Sequence, residues 1–305
     1  MAQRKWVKRL RRDGAYIFIR LMVAFFRILP RKPALLAGSL FGRIAPLFVR
    51  KDFRLAKEHL ALAFGGEKSN QEIENLARDM FRNLAMNFVD TARLNTMTPD
   101  GVKNICIPHN FNIFYEKYKE GKGVIGLTGH VGCWELMGTY FAMIGINIDV
   151  VAQKLYDSRL ERLLIRSREE GGMKVISRGE NTRDILHAIR DGHLIGMLID
   201  QDMNVKGEFV DFFGRPAYTA SAPALLSLRY KVPILPIFTY RDRNHNHHIC
   251  VGEPLVIEPT GITDHDIKEI TALCSKATES FIRKHPDQWV WFHRRWKTSP
   301  DDTDQ

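Results

Sequence analysis

From about residue 121 onward, short apolar runs alternate with longer amphipathic segments, a pattern typical of strands and helices in turn. The apolar runs predict strands near 123–128, 148–153, 174–177, 193–199, 232–238 and 247–252. The segments between and after them predict helices near 134–144, 157–170, 181–191, 220–230 and 264–284. This alternation predicts an α/β fold with an open, mainly parallel central sheet covered by helices on both faces.

The region before the sheet has a helical pattern. Apolar faces predict helices over 51–64 and 71–94, with Gly65-Gly66 ending the first and Ser69 or Asn70 capping the second. We expect these two helices to form a layer, residues 51–95, beside the sheet. One domain would then cover residues 51–298, and the polar residues 299–305 would form a disordered tail.

The first 50 residues differ from the rest in charge. They hold twelve Lys and Arg residues and one acid, Asp13, whereas the other 255 residues hold 33 basic and 34 acidic side chains. The formal net charge of +10 is therefore concentrated in this segment. Basic residues interleaved with stacking aromatics, as in nucleic-acid-binding proteins, do not occur in the sequence, so we expect no nucleic-acid partner.

Two apolar stretches, 15–29 and 33–49, follow the first basic cluster. Both are shorter than the ~20 apolar residues that span a bilayer. They favour a basic amphipathic, membrane-anchoring segment over residues 1–50, with apolar side chains in the lipid boundary and cations at anionic head groups. A single tilted membrane helix and an amphipathic helix capping a soluble core remain as alternatives. Arg20 interrupts the first stretch and argues against a signal peptide.

A histidine stands at the carboxyl end of the first predicted strand of the sheet. His130 follows the apolar run 124–127 after Thr128 and Gly129, at the edge where ligands bind in α/β sheets. If His130 lies in the turn and Glu135 in the first helical turn, the carboxylate can fold back onto one imidazole nitrogen and raise the basicity of the other. The pair then predicts a general base for a hydroxyl. By itself, the H-x4-E spacing favours a structural histidine and a solvated glutamate.

Charged residues also follow two later strands. Arg178 comes after 174–177, where Asn181 or Thr182 would cap the next helix, so a guanidinium and helix amides would form an anion site. A surface arginine is the alternative. Asp200 and Asp202 end the strand 193–199 at the same sheet edge as His130. The sequence spacing of these three residues is weak evidence for a metal site, and we expect no metal.

Other motifs predict structure and not chemistry. The four cysteines lack paired or metal-like spacing, which suits a reducing compartment. The histidine-rich run at 245–248 predicts a polar hairpin turn, and Thr219 and Ser221 are expected to cap the helix 220–230. A nucleophilic serine is not supported, because no G-x-S-x-G elbow occurs.

Four ordered stretches, together spanning roughly residues 15–297, resemble the lipid A biosynthesis (lauroyl/myristoyl) acyltransferases of the lysophospholipid acyltransferase superfamily. GHVGCWELMG at 129–138 contains His130 and Glu135 in the positions of the superfamily's H-x4-D/E motif. The other stretches are residues 199–238, VGEPL at 251–255 and HPDQWVWFHRRWK at 285–297. In the last, tryptophans beside Arg294 and Arg295 suit a membrane interface or the cover of a core equally well.

The resemblance implies a membrane-associated O-acyltransferase at the cytoplasmic face of the bacterial inner membrane. It implies transfer of a fatty acyl chain from an acyl carrier protein thioester, or a CoA thioester, to a hydroxyl of a glycolipid, a lipid A precursor. His130 and Glu135 would be the catalytic residues, with backbone amides of the turn 131–134 as oxyanion donors. Cofactors and metals are not expected; membrane lipids, acyl carrier protein and the glycolipid are the expected partners.

The resemblance also implies substrate-binding roles. Arg178 would hold a phosphate or the donor, and Asp200 and Asp202 would shape the site. The motif Phe213-Gly214-Arg215 resembles the acceptor-side motif of the family, with the phenylalanine on an acyl chain and the arginine on a phosphate. It stands where glycerolipid acyltransferases carry a P-E-G-type motif, which favours the lipid A acceptor. A hairpin with core aromatics is the alternative for this motif.

Two other functions remain. The chain would share every catalytic residue with an acyltransferase for another lysolipid or glycolipid, such as a mannoside or an aminolipid. A non-catalytic peripheral membrane protein that keeps the fold as a lipid-binding module is the alternative from another class. The base and its acidic neighbour favour the enzyme.

Overall fold

The computed structural model describes residues 2–178 and 182–302. Its helices are, in chain order, α1 (Ala2–Ile28), α2 (Arg31–Phe48), α3 (Arg50–Phe64), α4 (Asn70–Ala92), α5 (Pro99–Lys103), α6 (Phe111–Lys119), α7 (Trp134–Met143), α8 (Ser158–Glu170), α9 (Thr182–Arg190), α10 (Ala222–Tyr230) and α11 (Thr263–Lys284). Its strands are β1 (Cys106–His109), β2 (Val124–Thr128), β3 (Ile148–Ala152), β4 (Lys174–Ser177), β5 (Leu194–Leu198), β6 (Gly207–Phe212), β7 (Arg215–Ala220), β8 (Ile234–Arg241) and β9 (His247–Val251). Every predicted strand and helix is present, with ends close to the prediction. Strand β1 and helices α5 and α6 were not predicted, and the β6–β7 hairpin was expected only as an alternative.

A seven-stranded sheet with the order β1-β9-β8-β2-β5-β3-β4 organises the described residues. Strands β8, β2, β5, β3 and β4 run parallel to one another. Strand β9 pairs antiparallel with β8, and β1 runs parallel to β9. The predicted α/β fold with a mainly parallel sheet is therefore confirmed, and the carboxyl ends of β2 and β5 meet side by side at its centre.

Helices cover both faces of the sheet. Val124 packs with Leu136 and Phe141 of α7 on one face, whereas Ile125 packs with Ile270 of α11 on the other. Successive side chains of a strand point to opposite faces, so the fully buried strand β2 needs cover on both sides. Each such aliphatic side chain contributes about 1.5–3 kcal/mol by leaving water.

Local sequence features fix the start of α4 and its packing against α2. Ser69 caps α4 through a capping box with Glu72, because its hydroxyl accepts from the Glu72 amide and the Glu72 carboxylate accepts from the Ser69 amide. Helix α2 packs closely on α4, since a Cβ at Gly42 would lie 2.6 Å from the Phe81 carbonyl oxygen. Glycine at this position lets the two backbones approach each other.

A buried carboxylate joins the helical layer to the sheet. Asp90 of α4 is fully buried and accepts from Arg31 of α2 at 2.9 Å and from Arg241 of β8 at 2.7 Å. His247 Nε2 of β9 lies 2.9 Å from the same carboxylate. A buried charge is tolerated only when it is paired and hydrogen-bonded, and this one connects two helices and two strands.

The N-terminal helices expose large apolar side chains. Among them are Phe18 and Leu21 of α1 and Leu36 and Leu40 of α2, each more than half exposed. Within the described residues, none of the helices is by itself both long and apolar enough to cross a bilayer; α2 and α3, bent by 94°, pass that test of length and composition only as a pair. Membrane association of residues 1–50 therefore stays a prediction.

The hairpin of β6 and β7 forms a second, two-stranded sheet against α11. Residues 245–248 belong to the turn and first strand residues of the β8–β9 hairpin, as predicted. Ser221 is the N-cap residue of α10, as predicted, but its hydroxyl donates to the Lys206 carbonyl and makes no cap hydrogen bond. Thr219 is not a cap, and its hydroxyl donates to the Ala217 carbonyl. In the predicted tail, Pro300–Asp302 forms a 3-10 turn, and 303–305 lie outside the described residues.

Candidate active site

The register of two central strands brings His130 and Asp200 together. Thr128 of β2 pairs with Leu198 of β5, and His130 and Asp200 each come two residues later. Between them, Gly129 keeps the loops close, because a Cβ there would lie 3.0 Å from Asp200 Oδ2. The carboxyl edge of the parallel sheet thus positions a histidine against a carboxylate.

Asp200 holds both the backbone and the ring of His130. The His130 amide donates to Asp200 Oδ2 at 2.6 Å, and His130 Nδ1 lies 2.8 Å from Oδ1. Trp289 Nε1 donates to Oδ2 at 2.7 Å. Burial by itself raises the pKa of the Asp200 carboxyl, but the His130 ring and these donors outweigh burial and hold that pKa well below its usual range.

An ionised carboxylate only accepts hydrogen bonds, so the proton between the two groups belongs to His130 Nδ1. The neutral ring then has its free lone pair on Nε2. This tautomer leaves Nε2 able to accept a proton from a hydroxyl. Asp200 therefore fixes the tautomer of the His130 ring, the role that was predicted for Glu135.

Glu135 lies in the first turn of α7, as predicted, but its carboxylate is turned toward α8. Arg168 donates to both of its oxygens, at 2.6 and 2.8 Å, and Trp134 Nε1 donates at 3.1 Å. The prediction that Glu135 orients the His130 ring is therefore corrected. The physical reason is that a guanidinium matches both carboxylate oxygens at once, whereas the histidine already has a closer acid in Asp200.

Gln201 and His293 complete the surroundings of the base. Gln201 Nε2 lies 2.7 Å from His293 Nε2, and 3.2 and 3.1 Å from Nδ1 and Nε2 of His130. Because the two ring nitrogens flank one carbon, an amide nitrogen equally distant from both lies over the ring face and leaves the in-plane lone pair of Nε2 available. Burial, followed by the nearby His130, lowers the pKa of His293 to about 4, so His293 is neutral and accepts from Gln201.

Roles for Gln201 and His293 were not predicted from the sequence. Both adjoin residues of the predicted motifs, since Gln201 lies between Asp200 and Asp202 and His293 precedes Arg294. A search for polar residues next to the predicted site would have found them.

His130 lies at one end of a cavity of about 420 Å³ between α7 and the sheet. Its polar end includes His130, Glu135, Arg168, Arg178 and Gln201. Its deep end is apolar, with Met137, Phe141, Ile148, Val150, Met173 and Ile237 among the lining residues. A mainly apolar cavity with a few polar groups at one end suits a ligand with a reactive head and a hydrocarbon tail.

Two glycines form the floor of this cavity. Gly126 of β2 and Gly196 of β5 are register partners on neighbouring strands, and both line the cavity. A Cβ at Gly196 would be in ordinary contact with Val150 Cγ1 at 3.4 Å, and one at Gly126 would lie 3.0 Å from Leu194 Cδ1. The absence of side chains at these positions makes the space under α7 deep enough for a chain.

Arg178 lies at the polar end of the cavity, where its guanidinium contacts Met203 and donates to Gln153 Oε1 at 2.6 Å. Burial lowers the pKa of its guanidinium. The predicted helix cap at Asn181 lies outside the described residues, as does the side chain of Thr182.

The other predicted substrate-binding residues are not among the residues that line this cavity. Asp202 accepts from the amide and hydroxyl of Thr298 at 2.7 and 3.0 Å. Phe213 is buried in the β6–β7 turn, where its amide donates to Glu279 at 2.6 Å, while Gly214 and Arg215 are exposed. The structure therefore places Phe213-Gly214-Arg215 in a hairpin turn with core aromatics.

The backbone amide of Gly132, one of the expected oxyanion donors in the turn 131–134, donates to the Gln288 carbonyl at 3.0 Å and is not free.

Among the described residues, no group of three His, Cys, Asp or Glu side chains is arranged to hold a metal ion. Trp289 and Trp291 are fully buried, so these parts of the C-terminal motif cover the core.

The profile of the bacterial lipid A biosynthesis acyltransferase family matches residues 1–298. Lipid A biosynthesis acyltransferase 2 of Shigella flexneri is 25% identical over 291 residues, which cover 92% of this chain and 89% of that protein. The lipid A biosynthesis palmitoleoyltransferase of Escherichia coli is 25% identical over 268 residues, or 86% of this chain and 84% of that protein. A phosphatidylinositol mannoside acyltransferase of Mycobacterium tuberculosis is 23% identical over 181 residues, or 58% of this chain and 55% of that protein.

The match extends over nearly all of the chain and includes the strand ends that bring His130 to the cavity. This chain therefore belongs to the bacterial lipid A biosynthesis acyltransferase family.

Proposed function

We propose that this protein is a membrane-associated O-acyltransferase that moves a fatty acyl chain from an acyl carrier protein thioester to a hydroxyl of a lipid A precursor. The observation that supports the proposal most directly is the position of His130. Its Nδ1 is held by a buried carboxylate, and the ring lies at the polar end of an apolar cavity. A general base beside an apolar cavity that can hold an acyl chain suits acyl transfer to an alcohol.

In the proposed reaction, His130 Nε2 takes the proton of the acceptor hydroxyl as its oxygen attacks the thioester carbonyl carbon. The carbonyl electron pair moves onto oxygen and returns as the carbon–sulfur bond breaks. The thiolate leaves and receives the proton from the imidazolium, which gives an ester and a free thiol. Both substrates are present together, so the step needs no acyl-enzyme.

Asp200 remains ionised through this sequence. Its low pKa means that it accepts no proton, and its charge stabilises the imidazolium that forms after the hydroxyl is deprotonated. Gln201, held in place by His293, is the neutral side chain best placed to donate to the developing oxyanion. Glu135 has a positioning role in this scheme, because it fixes Arg168 and the first turn of α7 at the cavity wall.

The donor chain occupies the deep part of the cavity in this proposal, with its carbonyl near His130. Arg178 lies at the same polar end and supplies a cation for a phosphate of the donor or the acceptor. In this proposal the site lies at the cytoplasmic face of the bacterial inner membrane, and the exposed apolar side chains of α1 and α2, with the basic residues of the segment, support that location.

A second acceptor class, a glycolipid such as a mannoside, is favoured by one observation, the similarity to a phosphatidylinositol mannoside acyltransferase. That similarity covers 58% of this chain, whereas the similarities to the Shigella flexneri and Escherichia coli lipid A enzymes cover 92% and 86% of it. We therefore prefer the lipid A precursor.

The test uses purified wild-type protein and His130→Ala, each given acyl carrier protein thioester and a panel of lipid A precursors, mannosides and lysolipids. Wild type is expected to acylate a lipid A precursor, and His130→Ala to lose turnover while still binding vesicles. Transfer to no acceptor overturns the proposal. Equal function of His130→Ala in cells supports the non-catalytic lipid-binding module instead.

A further inference from the structure

A second cavity, of about 300 Å³, lies between α4 and the beginning of α7. Leu84, Phe88 and Thr91 of α4 form one wall, and Trp134 and Glu135 form part of the other. It adjoins the cavity under α7, and the two share Trp134 and Glu135 at the start of that helix and Leu164 of α8.

The polar atoms in the walls of this second cavity have partners inside the protein. Asn87 donates to the Gly132 carbonyl at 2.8 Å and accepts from Arg241 at 2.8 Å. The Glu135 carboxylate is occupied by Arg168. What remains for a ligand is mainly hydrocarbon surface, which favours an apolar chain over a polar group.

Trp134 separates this cavity from the base. It lines both cavities, and its ring centroid lies 4.9 Å from that of His130. A molecule whose chain lies in the second cavity therefore brings its adjoining polar part to His130 around Trp134.

Aromatic contacts connect the second cavity to the exposed apolar surface of the N-terminal helices. Phe88 at its rim is 37% exposed and packs edge-on against Phe26 of α1 at 6.2 Å. Phe26 packs in the same way against Phe41 of α2 at 6.4 Å, and Phe41 is 46% exposed. The exposed Phe41 and Phe88 therefore lie on either side of the buried Phe26, so that the apolar surface of α1 and α2 adjoins the cavity.

We infer that the second cavity holds a hydrocarbon chain of the lipid acceptor during transfer. The inference rests on the proposed function, because a direct transfer needs donor and acceptor at His130 at the same time. In the proposed function the donor chain occupies the cavity under α7, so the chain of the second substrate needs a place of its own. The second cavity supplies it on the other side of Trp134.

The test uses lipid A precursors whose own acyl chains are shortened stepwise. With wild type, KM for the acceptor is expected to rise by about fourfold for each methylene that no longer reaches the cavity. Leu84→Trp fills the cavity and is expected to raise KM for the full-length acceptor while abolishing its dependence on chain length. Leu62→Trp is the matched control, since Leu62 lies on α3, is 40% exposed and lines neither cavity.

Hydrolysis of the thioester by water, measured without acceptor, shows whether each variant keeps a working donor site. If Leu84→Trp loses hydrolysis, Leu84→Ala replaces it, and the preferred acceptor chain is expected to become longer because the cavity is larger. An unchanged KM and chain dependence in the Leu84 variants overturns this inference and leaves the proposed function standing. Absence of transfer by wild type to any precursor overturns the proposed function itself.

Discussion

His130 and Asp200 are 70 residues apart in the chain and are joined by two hydrogen bonds, one from the backbone amide and one from the ring. Each lies two residues beyond a register pair of β2 and β5. The parallel pairing of these strands thus sets the distance between base and acid, and a shift in register would separate them.

Asp200→Asn is expected to lower kcat by about 10²–10⁴-fold, because an amide no longer favours the Nδ1–H tautomer or stabilises the imidazolium. The KM values for both substrates are expected to change little. Steady-state rates of thiol release measure the effect. Asp202→Asn is the control, since Asp202 binds Thr298 and does not line the cavity. A kcat near wild type for Asp200→Asn would show that Asp200 does not orient the base.

Arg168→Gln is expected to destabilise the protein by about 3 kcal/mol, because it leaves the largely buried Glu135 carboxylate without its cation. Glu135→Gln combined with Arg168→Gln is expected to recover part of the loss. Urea unfolding measures both. Arg166→Gln, two residues away, breaks an exposed pair with Glu170 and is expected to change nothing measurable. Equal stability of the two single Arg variants would contradict the assignment.

Gly196→Ala is expected to shift the preferred donor toward shorter acyl chains, because the new methyl group enters the floor of the cavity at ordinary contact distance from Val150. Competition between thioesters of different chain length measures the preference. Gly66→Ala, where an added Cβ meets nothing within 4 Å, is the control. An unchanged preference would place the donor chain elsewhere.

Lowering the pH is expected to decrease the free energy of unfolding already at pH values where the carboxylates are still ionised. Burial, as the largest cause, lowers the pKa of both His247 and His293 to about 4. The unfolded chain takes up protons at these residues below about pH 6.5, whereas the folded protein does so only near pH 4, so stability falls as pH decreases through this range. The loss is at most ~1.4 kcal/mol per pH unit for each histidine.

Urea unfolding at pH 7 and pH 5 measures this slope. His293→Gln is expected to make the slope smaller, because it removes one of the histidines that the unfolded state protonates more readily than the folded protein does. A slope that is the same in wild type and His293→Gln would mean that His293 does not stay neutral in the folded protein.

Replacing Phe18, Leu21 and Phe25 together by Ser is expected to weaken binding to anionic vesicles by at least about tenfold, because these exposed side chains would lose their burial in lipid. Co-sedimentation with vesicles at two salt concentrations measures binding, and salt is expected to weaken it through the basic residues. His130→Ala is the control and is expected to bind as wild type does. Unchanged binding of the triple variant would place the membrane contact on another surface.

The period of apolar residues was sufficient to predict the strands β2, β3, β4, β5, β8 and β9 and the helices around them, because that period reflects local backbone geometry. It missed β1, whose four residues have the burial pattern of a short edge strand, with an alternation too brief to recognise. It also placed His130 correctly at a strand end, since the turn follows directly in the sequence.

What the sequence by itself determined is therefore the α/β class, the order of the elements and the histidine at the sheet edge. Only the tertiary structure decided which acid faces that histidine. Glu135 is five residues away and was the natural candidate, but the pairing of β2 with β5 brings Asp200 closer, and α8 brings Arg168 to Glu135. Such contacts depend on the register of strands and the packing of helices that are distant in sequence. The spacing of residues within one short segment predicts neither.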